Sequence, residues 1–172
     1  MPTDKKYLLD ANVFIEAKRR YYAFDLCPGY WECLVWHHQA ACIQSIDRVK
    51  EEFERGADEL SEGAKSVMPQ TCFASCDESA VTGQYAQIMA WVQSQDQFFG
   101  EAKAEFAGSA DGWLIAYAKV KNLIVVTQEV LARDAQKKVP IPNVCEAFGV
   151  DYVDTFEMLR NLEAQFNWQA TI

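Results

Sequence analysis

One aspartate, Asp10, stands inside an apolar, strand-like run that extends from Tyr7 to Ile15. An ionised carboxylate that is desolvated at the end of a buried strand is costly unless a cation, a hydrogen-bond donor or water compensates it. Metal binding is therefore the hypothesis for Asp10, and it requires other acidic residues that could bind the same ion.

Three more acidic residues have a similar setting, in a helix or just beyond a strand. Glu52 lies in a predicted helix, one turn after an apolar residue, and projects from the same side. Asp111 lies in the first turn of a later helix, where the helix dipole stabilises a carboxylate. Glu129 follows the predicted strand 123–127 by two residues. Ligands bind open α/β sheets at the carboxyl ends of the strands, so Asp10 and Glu129 are expected to share one crevice.

Each of these three acids also has a purely structural interpretation. Glu52 has acidic neighbours and fits a solvated helix face. Asp111 fits the N-terminus of a helix, and Glu129 fits a solvated loop. Taken one at a time, only Asp10 indicates a functional site.

The elements that must position these acids have the pattern of an α/β protein. Strands are predicted at 7–10, near 41–43, at 123–127 and at 151–153, with helical spacing between them. Such alternation favours a central parallel β-sheet flanked by helices on both faces. Ser45 is a candidate N-cap, Ser109–Gly112 opens a second helix, and 79–95 has helical spacing. No linker divides the chain, which is predicted to be a single domain over 1–172 with a less regular, helical segment at about 62–107.

Composition indicates a globular protein and excludes some classes of function. Half of the 172 residues are hydrophobic, no apolar run is long enough to span a bilayer, and a cytoplasmic location is expected. The net charge of −9 argues against a protein that coats nucleic acid through its overall field, but not against an enzyme that acts on it. Lys18-Arg19-Arg20 and Lys137-Lys138 are local positive patches.

Taken together, the four acids and their neighbours resemble the PIN-domain nucleases. The matching pieces are Leu-Leu-Asp10-Ala-Asn12-Val-Phe-Ile, Val49-Lys-Glu-Glu52-Phe, Ala110-Asp111-Gly-Trp-Leu-Ile-Ala-Tyr-Ala118 and Ile-Val-Val-Thr127-Gln-Glu129. A closer resemblance is to an uncharacterised PIN-like family of bacterial proteins related to VapC-type toxins. It rests on Arg20-Tyr-Tyr-Ala-Phe-Asp25, Pro28-Gly-Tyr-Trp31 and Ile141-Pro-Asn-Val-Cys145.

The resemblance implies a PIN-like fold with a catalytic metal centre. Its ligands would be Asp10, Glu52, Asp111 and Glu129. The cofactor would be Mg²⁺ or Mn²⁺, which are hard cations that take oxygen ligands. Two positions depart from the common pattern: the fourth acid is usually Asp rather than Glu129, and Glu51 stands beside Glu52.

Further residues are expected to support that centre. Asn12 would orient Asp10 or a metal-bound water, although a turn or cap role fits it equally well. Thr127 would hydrogen-bond a ligand carboxylate or a phosphate, or would simply be the β-branched residue that ends its strand. Lys18, Arg19 and Arg20 would steer a phosphate backbone towards the site, or lie on a solvated helix face.

The function that follows from the resemblance is divalent-metal-dependent hydrolysis of RNA phosphodiester bonds. The chain would be the toxin of a bacterial toxin–antitoxin pair, with RNA as substrate, an antitoxin protein as partner and a homodimer as a possible assembly. Two alternatives remain: a PIN-fold binding or scaffold protein with little or no activity, and a nuclease that acts on DNA.

Overall fold

The computed structural model describes residues 4–20, 22–55 and 66–170, and within them the chain forms an α/β domain. Its sheet has five strands in these ranges, in the order β3-β2-β1-β4-β5, and every pairing is parallel. The strands are β1 (Tyr7–Leu9), β2 (Ile43–Ile46), β3 (Phe73–Ala74), β4 (Ile124–Val126) and β5 (Tyr152–Val153). The predicted fold class, a parallel sheet flanked by helices, is confirmed.

The helices alternate with the strands along the chain. They are α1 (Ala11–Arg19), α2 (Pro28–Gln39), α3 (Asp47–Arg55), α4 (Ser79–Ser94), α5 (Gly100–Gly108), α6 (Asp111–Lys121), α7 (Ile141–Phe148) and α8 (Thr155–Asn161), with a 3-10 turn at Gln70–Cys72. Two of them end at a residue in the left-handed region, Asn122 after α6 and Gly149 after α7, as helix C-termini commonly do. Across the described ranges, each helix is too short or too polar to traverse a lipid bilayer.

The structure corrects several predicted element boundaries. Ser45 does not cap a helix: it lies in β2, where its hydroxyl donates to the Leu9 carbonyl at 2.7 Å, and α3 begins at Asp47. A buried serine beside a neighbouring strand can satisfy its hydroxyl there, which leaves no need for the capping role. The second strand accordingly runs over Ile43–Ile46 rather than 41–43.

The segment at about 62–107 is more varied than the predicted helical segment. Its first residues, 62–65, lie outside the described ranges. The remainder contains the 3-10 turn and the short edge strand β3, which was not predicted, before α4 and α5. A two-residue strand has no periodicity to detect, so only its pairing with β2 defines it.

The order of the strands creates a crevice beside β1. All three residues of β1 are fully buried, and Tyr7 pairs with Ile43 of β2 on one side and Ile124 of β4 on the other. Along the chain, β2 and β3 are added on one side of β1, and β4 and β5 are then added on its other side. Open α/β sheets bind ligands at such a switch point, beyond the carboxyl ends of the strands. Asp10 directly follows β1 at this position.

Close packing sets the start of α6 against α4 and α5. A Cβ atom on Gly112 would lie 3.0 Å from the Tyr85 ring and 3.2 Å from the Phe106 ring, so only glycine fits without displacement. The next residue, Trp113, stacks on Tyr85 with ring centroids 3.9 Å apart. These contacts hold the N-terminus of α6, and with it Asp111, at the crevice.

Candidate active site

The four predicted acidic residues line one cavity of about 180 Å³ at the carboxyl edge of the sheet. Asp10 comes from the end of β1, Glu52 from the middle of α3, Asp111 from the first residue of α6, and Glu129 from the segment after β4. They are separated by up to 119 positions in the chain, and the parallel sheet brings them together. Ser109, Glu105 and Lys138 also line this space, which we call the acidic cavity.

Asp10 is the most deeply buried of the acids, at 3% exposed. The Thr127 hydroxyl donates to its Oδ2 at 3.1 Å and accepts from the Glu129 N–H at 3.1 Å. Burial raises the pKa of Asp10 to about 7, and the charge of Glu129 adds to this effect, whereas the bond from Thr127 opposes it. Thr127 therefore connects two of the acids but only partly offsets the cost of the buried carboxylate.

Asp111 faces the same excess of negative charge. Burial raises its pKa well above the usual range, and the charges of Asp10 and Glu129 raise it further. Its own N–H donates to the Ser109 hydroxyl at 3.3 Å. Asp10 and Asp111 are therefore two neighbouring carboxyl groups that resist ionising together without a cation between them.

Glu52 is held at the start of α6. Its Oε1 accepts a 2.6 Å hydrogen bond from the N–H of Ala110, which precedes the helix. The adjacent Glu51 points elsewhere and pairs with Arg48 at 3.2 Å and with Arg55 at 3.8 Å. The structure thus places Glu52 at the cavity, while Glu51 belongs to an ion-pair network outside it.

Glu129 differs from the other acids because both of its carboxylate oxygens have strong donors. Oε1 accepts from the Lys138 ammonium, and Oε2 accepts from the Ile141 N–H at 2.8 Å. Ile141 is the first residue of α7, so this bond caps that helix and favours a negative charge there. Only 11% of the Glu129 side chain is exposed. Lys138 acts as a local cation at the rim of the acidic cavity.

The donor set suits a hard divalent cation. All of the acids offer oxygen ligands, and Asp10 and Asp111 combine burial with negative charge that Thr127 and Lys138 only partly offset. In the described part of the chain, no three acidic, histidine or cysteine side chains already stand in the arrangement of a metal centre. Mg²⁺ needs only one or two carboxylates and keeps several waters, so Asp10 and Asp111 fit its requirements without a preformed cage.

Comparison with known proteins identifies the family and the fold. A family model described as a domain of unknown function (DUF4411) matches residues 7–166. The chain belongs to the DUF4411 family. No curated protein matches the sequence.

A solved structure with the same architecture supports the description of this DUF4411 protein as PIN-like. FitAcB from Neisseria gonorrhoeae is similar over 85% of this chain and 95% of that chain, with a TM-score of 0.50 and 18% identity. At this identity the similarity shows the fold alone. The predicted PIN-like fold is thereby confirmed.

The supporting residues predicted for this DUF4411 protein lie in different places. Thr127 contacts Asp10 directly, whereas Asn12 lines the acidic cavity and makes no side-chain hydrogen bond to any described residue. Of the basic run, Lys18 lies over the Phe24 ring at 5.4 Å, and Arg20 pairs with Glu16 at 2.7 Å. Within the described ranges, neither these two nor Arg19 lines the acidic cavity.

Lys138 is the residue at the site whose position sequence reasoning missed. The Lys137-Lys138 pair stands out in the sequence only as a local positive patch. Its place between β4 and α7, in the segment that leaves the carboxyl end of a central strand, is the signal that could have indicated a role. Which of the two lysines faces Glu129 depends on the path of the loop.

Proposed function

We propose that this DUF4411 protein is a divalent-metal-dependent nuclease of PIN type that hydrolyses RNA phosphodiester bonds. The observation that carries the proposal is the pair Asp10 and Asp111, two carboxyl groups with raised pKa at the switch point of a parallel sheet. Buried charges of one sign indicate a site for an ion of the other sign. The resemblance to PIN-domain nucleases supplies the reaction class.

The residues of the cavity have separate parts in this reaction. Asp10 and Asp111 would hold Mg²⁺ or Mn²⁺, which supplies an activated water and neutralises charge on the phosphate. Thr127 orients the Asp10 carboxylate through its hydroxyl. Glu52 fixes the start of α6, and with it the position of Asp111, through its bond to Ala110. The reaction adds water across the phosphodiester and leaves a 5′-phosphate and a 3′-hydroxyl.

Glu129 fits a positioning role better than a direct ligand role. Its two oxygens are engaged by Lys138 and by the N-terminus of α7, so binding a metal ion directly would break at least one of these bonds. Its N–H also bonds to Thr127 and so helps to align the donor to Asp10. We infer that Glu129 contributes to the cavity mainly through Thr127 and Lys138.

Incubation of the purified protein with mixed RNA and DNA oligonucleotides, in Mn²⁺ and in EDTA, tests this function. We expect RNA cleavage in Mn²⁺, none in EDTA, and none by the Asp10→Asn variant. Asp96→Asn, which changes an exposed aspartate by the same single atom, is the matched control and should cleave normally. Equal cleavage by Asp10→Asn and the wild type would remove Asp10 from the reaction.

The same assay separates the alternatives. Metal binding measured by calorimetry, without cleavage of any nucleic acid, would favour a binding or scaffold protein. This alternative is tested because carboxylate oxygens of Glu52 and Glu129 already accept hydrogen bonds from the protein. Cleavage confined to DNA would favour a DNA nuclease.

We also propose that the chain is the toxin of a toxin–antitoxin pair, with a protein antitoxin as its partner. The resemblance to VapC-type toxins supports this assignment. Expression in a bacterial host should arrest growth for the wild type and Asp96→Asn, and not for Asp10→Asn. Normal growth with soluble, cleavage-competent wild-type protein would contradict it.

A further inference from the structure

A second pocket adjoins the acidic cavity. Its volume is about 400 Å³, within the range of pockets that hold small organic groups. Asn12 and Glu129 line both spaces, so the two lie side by side at the carboxyl edge of the sheet. The other walls come from α1 and the residues just after it, from the segment after β4 and from the start of α8. They include Tyr22, Gln128 and Phe156, together with Arg20 in its ion pair with Glu16.

One wall of this pocket is an aromatic surface held firmly from behind. The Tyr22 ring stacks on the fully buried Tyr30, with centroids 4.4 Å apart and planes at 4°. The backbone of Tyr22 is fixed as well, because its N–H donates to Ala17 at 2.9 Å and its carbonyl accepts from Trp31 at 2.7 Å. Phe156 lies at the mouth of the pocket, 45% exposed, with its ring centroid 6.4 Å from that of Tyr22.

The remaining walls carry groups that can recognise the edge of a planar ring. The Gln128 amide is oriented by its 2.6 Å hydrogen bond to the Thr155 hydroxyl. The Asn12 amide, at the boundary with the acidic cavity, has no hydrogen-bond partner among the described residues. Side-chain amides together with aromatic faces are the usual means by which proteins bind unstacked nucleobases.

We propose that this pocket, lined by Asn12, Tyr22, Gln128 and Phe156, binds an unpaired nucleobase of the strand whose phosphate lies in the acidic cavity. The proposal rests on the proposed nuclease function and specifies its substrate as a strand with at least one unstacked base beside the cleaved bond. A base inside a duplex cannot enter, because its faces and its pairing edge are already occupied.

The overall negative charge makes contacts that do not depend on charge important for binding a nucleic-acid strand. With a net charge of −9, the overall field of the protein does not attract a phosphate backbone, and Arg20 at the pocket is already paired with Glu16. Stacking of a base on an aromatic side chain does not depend on charge and is substantial. A rigid aromatic wall directly beside the acidic cavity can therefore supply the binding that the electrostatics of the chain do not.

The test is a double-mutant cycle between the protein and its substrate. After the cleaved bond has been mapped in a short single-stranded RNA, each base that flanks it is removed in turn to give an abasic substrate. Phe156→Ala should lower kcat/KM on the intact strand by about 5- to 100-fold, the range expected for one lost stack. On the strand that lacks the base that occupies the pocket, the wild type and Phe156→Ala should be equally slow.

The matched control is Phe99→Ala. Phe99 is 48% exposed, close to the 45% of Phe156, and precedes α5, away from the pocket lining. It should behave as the wild type on both substrates. Gln128→Ala, which removes the amide at the pocket wall, should change which base is preferred. Equal losses for Phe156→Ala on intact and abasic strands, or no loss on either, would overturn the proposal.

A binding measurement separates this proposal from the proposed function. Single-stranded RNA that carries 2-aminopurine is titrated with Asp10→Asn protein, where cleavage is not expected. Fluorescence quenching that Phe156→Ala weakens and Phe99→Ala does not would support the pocket, even if the wild type cleaves nothing. Cleavage by the wild type without any such quenching would instead support the nuclease and reject the pocket.

Discussion

The two walls of the acidic cavity both carry carboxyl groups, but the partners of those groups differ in charge. On one wall, the Asp10 carboxylate has the neutral Thr127 hydroxyl as its partner, burial raises the pKa values of Asp10 and Asp111, and the charge of Asp10 raises that of Asp111 further. On the other wall, Glu129 receives a lysine ammonium and a helix N-terminus. Uncompensated carboxylates attract a cation, whereas a compensated one stabilises the loop and helix around it. The difference indicates that reactivity belongs to the first wall and support to the second.

The largest effect should come from the uncompensated wall. Asp111→Asn keeps the size of the side chain and removes its charge, so cleavage should fall by about 100-fold or more, since even the loss of a group that only supports a metal ligand costs about 10- to 100-fold. The metal-free protein should become more stable, because one of two repelling buried carboxylates is gone. Cleavage rates and urea unfolding of the same preparation check both effects.

Asp96→Asn is again the control, and neither quantity should change. If Asp111→Asn lost stability and activity together, the comparison between the walls would fail, because Asp111 would then be a supporting residue.

The pH dependence of stability should also belong to the uncompensated wall. Asp10 ionises near its ordinary pKa of 3.8 in the unfolded chain and at about 7 in the folded one. Below pH 4 both states are protonated and Asp10 has no effect; between pH 4 and 7 only the unfolded state ionises, so stability falls, and above pH 7 the loss is constant. In EDTA the free energy of unfolding should drop by about 4 kcal/mol over this window, since each unit of the pKa difference corresponds to about 1.4 kcal/mol.

Asp10→Asn should make that pH profile flatter, as urea titrations at successive pH values would reveal. An unchanged slope in the variant would assign the dependence to other groups.

Removal of the charge from the compensated wall should have a smaller effect on chemistry and a measurable one on stability. Glu129→Gln weakens the bonds to Lys138 and to the Ile141 N–H, which should cost about 1.5–3 kcal/mol, as hydrogen bonds of charged groups do. Cleavage should decline much less than in Asp111→Asn. Loss of all cleavage at unchanged stability would make Glu129 an equal member of the metal site.

The smallest effect should come from substitution of Lys138, the side chain that places a positive charge at the acidic cavity. Lys138→Met removes a positive charge that opposes a divalent ion in the cavity, so Mn²⁺ should bind about 3- to 10-fold more tightly in calorimetry. Lys137→Met changes the exposed neighbour and should leave the affinity unaltered. Weaker Mn²⁺ binding in Lys138→Met would show that the lysine shapes the cavity rather than competes for it.

The fold was predictable from the sequence because its strands have strong signals. The run before Asp10 and the run at 123–127 are continuous stretches of aromatic, aliphatic and β-branched residues, and both form central strands. The helix predicted at 79–95 is present as α4. Weak elements were not predictable: β3 has two residues, and the place of Ser45 in β2 depends on a carbonyl of the neighbouring strand.

The candidate site was predictable as a set of residues and not as an electrostatic arrangement. The apolar setting of Asp10 and the resemblance to PIN-domain nucleases indicated four acids, and the structure places all four in one cavity. Glu51 and Glu52 have different partners because adjacent residues project from different sides of α3. In the sequence, only the spacing from Val49 to Glu52 indicates which of the two faces the cavity. For Lys138 the sequence offered only the position of its segment after β4 as a signal, and for the pocket beside the cavity it offered none.

The sequence by itself determined which elements form and which acids stand at their ends, because hydrophobic periodicity and local motifs act over a few residues. The tertiary structure alone decided which acids are compensated, since the partners of Glu129 lie nine and twelve positions away and those of Asp10 lie 117 away. It also decided that Tyr22 and Phe156, from distant segments, face one pocket beside Asn12. Charge compensation and cavity shape arise from the meeting of separate elements, and only the folded chain brings those elements together.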